Sequence, residues 1–249
     1  MNIYPILAAM RRNKMCAALI AIQMAVTLAI LCNGVFLIQQ RVAASHRPTG
    51  ADEADVFVIE NQWVGQPQDL KSRTLNDVAA LRALPDVTDA YVTNSYPMSD
   101  SGSTDGWGSD DPGSRVPMVR SAIYLADEHG IPTLGLKVIA GRNFLPSEID
   151  TISNDDFRAK PRAIIVTRAL AEKLFPKGGA VGKTIPGDFS RGSPPIVGIV
   201  DRLQVPWVSA AGWASSFNDN SSIMPFNLIA HYSIYVVRAR PGQLRSAMR

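Results

Sequence analysis

The sequence predicts an α+β protein, in which one N-terminal transmembrane helix precedes a mixed-sheet domain outside the cytoplasm. Three observations lead there. A single long uncharged run lies near the N-terminus, strand-like and helix-like segments alternate irregularly after it, and turn-rich stretches separate them.

The uncharged run is Met15 to Ile38, MCAALIAIQMAVTLAILCNGVFLI. At about 1.5 Å rise its roughly 24 residues reach about 36 Å, enough to span a bilayer core with some tilt. A cleaved signal peptide is the competing reading, because Arg11, Arg12 and Lys14 form a basic lead and Val42-Ala43-Ala44 offers small residues. The run is much longer than a signal peptide's apolar region, so a retained helix is expected. The same basic lead places residues 1–14 in the cytoplasm. Residues from about Gln39 onward are then extracytoplasmic, and Asp52, Glu53 and Asp55 soon follow. Residues 1–14 carry Ile3, Ile6, Leu7 and Met10 at helical spacing, which suits a short interfacial segment against membrane lipid. Within the span, Ala17, Ala21, Ala25 and Ala29 recur every fourth residue, so another helix can approach closely. Gln23, Thr27 and Asn33 add polar groups that favour a protein neighbour over lipid. Ala17, Ala21, Ala25, Ala29, Gln23 and Asn33 are therefore the expected helix-packing residues; a lone anchor that tolerates them is the alternative.

Residues 39–54 read as a polar linker, and residues 55–249 as the outer domain. Asp55 to Asn61 is strand-like. Leu75, Val78, Ala79, Leu81 and Leu84 form a helical stripe, with Thr74 or Asn76 as N-cap and Pro85 as the stop. Val87 to Tyr96 alternates as a half-buried strand. Ser99 to Ser114 is almost all turn-formers and reads as a mobile loop. Strand signals recur at Arg115 to Ala126, Leu136 to Phe144, Pro161 to Thr167, Pro194 to Arg202 and His231 to Arg240, with a turn or short helix at His129 to Leu136. Arg168 to Phe175 reads as a helix, and Lys183 as the start of a further strand.

Several chemistries lack their residues. Phe175 to Ile185, FPKGGAVGKTI, ends in Gly-Lys-Thr, but the first glycine of a phosphate-binding loop falls at Lys177. Gly178 and Gly179 stand one and two residues too close, so the cradle is too short. Asp100, Asp105, Asp110 and Asp111 miss the calcium-loop spacing. His46, His129 and His231 are scattered, and Cys16 and Cys32 both lie in the apolar run, so no metal-ligand set or serine-type nucleophile motif forms. The pairs Asp110–Asp111 and Asp155–Asp156 read as solvated loop carboxylates, and Trp207, Trp213 and Phe217 as loop packing or an exposed partner contact. A net charge of +3 from 25 basic and 22 acidic residues, well mixed, argues against nucleic acid. No cofactor and no catalytic residue is expected.

The order of motifs carries a resemblance. An Arg-containing amphipathic lead and one membrane helix precede Leu134-Gly135-Leu136-Lys137 and Ile139-Ala140-Gly141-Arg142-Asn143-Phe144. Ala163 to Thr167 with Leu170-Ala171 and Leu174-Phe175, Ala180 to Ile185, and Ile196 to Asp201 complete the set. Over roughly residues 3–240 the chain resembles the N-terminal half of a MacB/FtsX-type ABC transporter permease, with its MacB-like periplasmic core domain. The resemblance implies an inner-membrane location and an outer domain with a βαβ-like porter part and an inserted second part. It also implies no ATP hydrolysis by this chain: a cytoplasmic ABC ATPase supplies it, the permease acts as a homo- or heterodimer, and some members recruit a periplasmic adaptor for efflux. Such permeases continue into three more membrane helices, whereas this sequence stops at Arg249, so a fragment or a single-span relative is expected. A single-span sensor or binding protein is the alternative function.

Overall fold

The computed structural model describes residues 14–65, 69–110, 116–153, 160–188, 192–207 and 213–249. The expected interfacial lead, apart from Lys14, and the residues Asp111, Asp155 and Asp156 lie outside them. The chain forms two compact units, residues 1–47 and 48–249.

The first unit is helix α1, Lys14–Ser45. It runs on past the uncharged stretch and, over Ala17–Ser45, is long and apolar enough to cross a membrane. Over the uncharged stretch its large apolar side chains are exposed on every side, as a helix solvated by lipid requires, whereas Ala44 near its end is buried.

The second unit begins with β1 (Val56–Gln62), α2 (Leu70–Ala83) and β2 (Val87–Thr93). The last strand of the chain, β11 (Tyr232–Ala239), pairs antiparallel with both, giving the order β1-β11-β2. The strands β1 and β2 are therefore parallel, with α2 as their crossover and β11 between them: a split βαβ unit. Helix α2 starts at Leu70, earlier than Thr74 or Asn76. Asp69 is the N-cap and accepts the Ser72 amide at 3.1 Å, while Thr74 sits buried inside the helix.

Everything between β2 and β11 is an insertion built on a six-stranded mixed sheet of order β3-β4-β9-β7-β8-β5. Its strands are β3 (Ser103–Trp107), β4 (Val119–Leu125), β5 (Val138–Gly141), β7 (Ile164–Thr167), β8 (Ile196–Val200) and β9 (Ser221–Met224). A short parallel pair, β6 (Asp150–Ser153) and β10 (Phe226–Ile229), stands beside it. Helix α3 (Gly130–Leu134) follows β4, α4 (Arg168–Leu174) follows β7, and α5 (Leu244–Ala247) ends the chain.

Strand β3 lies inside the stretch expected to be a mobile loop. Its Trp107 is fully buried, and the indole N–H donates to Ser121 Oγ (3.0 Å) and Ser222 Oγ (3.2 Å). The glycines and serines around it mask a strand that one large aromatic anchors.

The pleat of β7 sorts the core. Ile164 and Val166 join Leu170, Leu174 and Ile196 under α4, whereas Ile165 faces Tyr124, Leu203, Ile223 and Val236 on the side of the split βαβ sheet. A third cluster, Val78 with Val92, Tyr235 and Val237, seals α2 onto the other face of that sheet.

Candidate functional site

Of residues 39–54, expected to be a polar linker, those up to Ser45 belong to α1, and the segment that follows is fastened to the outer domain. The Gln204 amide donates to Thr49 O (2.8 Å), and the Asp52 amide to Leu134 O (2.9 Å) at the end of α3. Arg238 on β11 completes the clamp. Its Nε donates to Thr133 O (2.7 Å) and its Nη2 to Asp52 O (2.8 Å), while Nη1 stands 3.2 Å from Asp52 Oδ2. The planar fork lets one side chain satisfy two carbonyls and a carboxylate together. Two glycines make the approach feasible. A Cβ on Gly50 would sit 2.2 Å from Arg202 O, and one on Gly135 2.9 Å from Arg238 Nη2. Gly135 also ends α3 in the left-handed region, φ 65°. The Leu134-Gly135-Leu136-Lys137 motif is thus the seat of the clamp. Sequence reasoning missed it because Arg238 and Asp52 are 186 residues apart.

A second polar knot binds α2, β2 and the β4–α3 loop. Arg82 Nη2 donates to Asp127 Oδ2 (2.7 Å) and Arg82 Nε to Ala90 O (2.7 Å). Asp127 Oδ1 accepts the His129 amide (3.0 Å), and His129 Nδ1 meets Asp89 Oδ1 at 2.8 Å. Burial pushes the Asp127 carboxyl above the ordinary carboxylate range, and the Arg82 bond and charge oppose that push. A His–Asp pair beside a buried carboxylate has the parts of an acid–base site, but here each is engaged with a structural partner. Its role is to brace three elements.

The other sequence-nominated residues are dispersed. Asp105 is buried and accepts the amides of Gly106 (2.8 Å) and Asp188 (3.1 Å), Asp110 accepts the Thr184 hydroxyl (2.6 Å), and the Asp100 amide donates to Pro206 O. Trp207, Trp213 and Phe217 do assemble, with ring centroids 4.9 and 5.1 Å apart for the pairs Trp213 makes. Phe217 is buried, Trp213 is 53% exposed, and the Arg120 guanidinium lies 5.7 Å over the Trp213 ring. The phenol of Tyr232 is pushed up to about 12, first by burial and then by Glu60.

Gly-Lys-Thr forms a hydrogen-bonded turn. The Gly182 amide donates to Ile196 O (2.7 Å) and Lys183 accepts the Ile196 amide (2.8 Å), while Ile185 is buried. The expected strand at Lys183 reduces to a single bridge, Thr184 to Pro195. In the Ala140-Gly141-Arg142 and Ile196-Val197-Gly198 motifs, the glycines serve a close crossing of two backbones. A Cβ on Gly141 would stand 2.2 Å from Val197 O, and one on Gly198 2.2 Å from Arg142 O. Val197 is the extra residue of a bulge at this crossing.

On α1, Ala17, Ala21, Ala25 and Ala29 trace a band that drifts about 40° per four residues, and Asn33 is its next step. Gln23 is not in that band: it lies about 160° round from Ala25. Thr27 donates its hydroxyl to Gln23 O (2.9 Å), so that hydroxyl is satisfied within the helix.

A membrane-length helix thus precedes an α+β domain made of a split βαβ sheet and a long mixed-sheet insertion. The family model described as MacB-like periplasmic core domain matches residues 15–249, and the chain belongs to that family. Among solved structures, the chain is similar to the extracellular domain of the ABC-type transporter YknZ from Gram-positive bacteria, at 16% identity over 77% of this chain and 88% of that one, TM-score 0.45. It is also similar to the periplasmic region of MacB from Actinobacillus actinomycetemcomitans, at 12% identity over 80% and 81%, TM-score 0.45. No curated protein matches it.

Proposed function

We propose that the chain is a non-catalytic permease component of an ABC transporter, coupling a separate cytoplasmic ATPase to an extracytoplasmic domain in efflux or mechanotransmission. The observation that carries this reading is the family match, which takes in the membrane-length helix and the outer domain together. The basic lead, Arg11, Arg12 and Lys14, supports a cytoplasmic N-terminus and hence a periplasmic outer domain. A displacement of α1 needs a firm attachment to be felt outside, and the Asp52–Arg238–Thr133 clamp, which fastens residues that follow α1 in sequence to the rest of the outer domain, supports that reading. Within the membrane, the band Ala17, Ala21, Ala25, Ala29 and Asn33 is the proposed face for a neighbouring permease helix, in a homo- or heterodimer. Gln23 then serves a different neighbour or lipid. A periplasmic adaptor is the proposed outer partner for an efflux role.

The test is purification of the tagged full chain from its native membrane in mild detergent. A cytoplasmic ABC ATPase should co-purify in stoichiometric amount. Repeated recovery of the chain without one overturns the proposal.

A further inference from the structure

The three-stranded sheet of the outer domain has two edges, and they are treated differently. On β2 the outward backbone groups of Ala90 are both taken by side chains: its N–H by Asp89 Oδ1 (2.9 Å) and its C=O by Arg82 Nε. At Ala90 that edge offers nothing to another strand. On β1, the Ala239 amide donates to Asp55 O and the Trp63 amide to His231 O, which fixes the alternation. Odd-numbered residues between them bond to β11, so the N–H and C=O of Val58, Glu60 and Gln62 point away from it. The strand β1 pairs with no other strand among the described residues.

Two surfaces flank this open edge. Towards α2 lies a groove of about 470 Å3 lined mostly by apolar side chains, Ile59, Trp63, Leu81, Leu84 and Tyr235. Of its carboxylates, Asp77 accepts the Tyr235 hydroxyl (2.9 Å) and Glu60 sits at its margin, and the buried Trp63 indole N–H has no hydrogen-bond partner among the described residues. On the opposite face Glu60 stands at a polar pocket of about 190 Å3 with Tyr232, Ser99 and Ser101, and its carboxylate accepts the Tyr96 hydroxyl at 3.0 Å. Glu60 is the one charged side chain lining that pocket.

We propose that the β1 edge receives an extended segment of a partner protein as an added strand, one whose side chains alternate apolar and basic. The free row of donors and acceptors calls for another extended backbone, because only a strand meets alternate N–H and C=O groups at that spacing. Apolar side chains on one face of the segment enter the α2 groove. Basic ones on the other face stand across from Glu60, as cross-strand pairs of opposite charge do. A second copy of β1 does not fit this description: Val56, Val58, Glu60 and Gln62, the residues it would present on the Glu60 face, include no basic group.

The test uses the full chain in a neutral detergent and three fluorescein-labelled octapeptides: alternating Val-Lys, alternating Val-Glu, and Val-Lys with a central proline. The Val-Lys peptide should bind at least about tenfold tighter than either of the others, and its binding should slow amide exchange at Val58, Glu60 and Gln62. Glu60→Lys should reverse the charge preference. Val58→Pro, which removes an outward-facing N–H, should weaken binding about tenfold if circular dichroism shows the fold intact; the Glu60→Lys result decides if it does not. Equal binding of all three peptides, protection elsewhere, or indifference to Glu60→Lys overturns the proposal. Protection of the same amides that rises with protein concentration alone also overturns it, and assigns the edge to a second copy.

Discussion

Arg238 donates to both the backbone carbonyl and the carboxylate of Asp52, across 186 residues of sequence, and also holds the Thr133 carbonyl at the end of α3. Arg238→Ala strips partners from two carbonyls at once. It should destabilise the outer domain by about 1–3 kcal/mol and speed amide exchange at Asp52 by more than it does in β7. Arg238→Lys should recover little of this, since a single ammonium does not reproduce the fork. Thermal melts and hydrogen exchange on the purified chain check both.

Arg82→Ala should cost about 2–3 kcal/mol, because it leaves the Asp127 carboxylate buried without its cation. The pH dependence has a definite sign. The folded carboxyl already titrates above its ordinary 3.8, and losing Arg82 removes an influence that lowers it. A raised carboxyl contributes stability below its unfolded value and loses it as pH rises through the folded one. The variant's deficit should therefore shrink as pH falls from 7 towards 4, measured as the difference in urea midpoint from the parent chain.

Arg142 and Glu148 give the opposite sign. Their two-pronged pair (2.8 and 2.7 Å) and the Leu145 amide hold Glu148 below the ordinary 4.5, the Arg142 bond being the largest cause. A depressed carboxylate contributes stability above its unfolded value, and that contribution is lost as pH falls through the folded value. Glu148→Gln should cost about 0.5–1 kcal/mol at pH 7, since Arg142 is half exposed, and nothing once pH lies below the depressed value.

Gly198→Ala should be among the most damaging single-methyl additions in the chain. Its Cβ meets the Arg142 carbonyl oxygen at 2.2 Å, backbone that moves only by parting β5 from β8. A loss of about 3 kcal/mol or failure to fold is expected. Gly179→Ala meets nothing within 4 Å and suffers only its left-handed backbone, φ 73°, so about 1 kcal/mol is expected. The comparison separates close packing from turn geometry in two glycines that sequence alone presents alike.

Local signals carried most of the fold. The uncharged run at Met15 to Ile38, the β-rich run at Val87 to Thr93 and the apolar runs at Ile164 and Ile196 each report a chemistry confined to neighbours in sequence. Ala90 to Thr93 are nevertheless buried on both faces and not half-buried as the alternation suggests, because α2 covers one face and the insertion's core the other. Strands β3, β6, β9 and β10 escaped because their signal is not local. Ser221 and Ser222 of β9 are buried polar residues whose partners, Leu203 O in the segment after β8 for one and Trp107 and Ser121 on β3 and β4 for the other, are not neighbours in sequence. The clamp was illegible for the same reason, and Asp52 in isolation looks like any linker acid. The periodicity of α1 was legible, but the division of its polar residues between two faces needed the helix geometry.

That division makes the proposed packing face of α1 testable. Ala21→Leu and Ala25→Leu add bulk to the middle of the band formed by Ala17, Ala21, Ala25, Ala29 and Asn33, and each should weaken helix association in a membrane dimerisation assay by about 0.5–1.5 kcal/mol. Asn33→Leu should weaken it as well, by removing the polar group that continues the band. Gln23→Leu, about 160° round from Ala25, should leave the signal unchanged. A helix that associates through Gln23 reverses this pattern, and one that serves only as an anchor responds to none of the four.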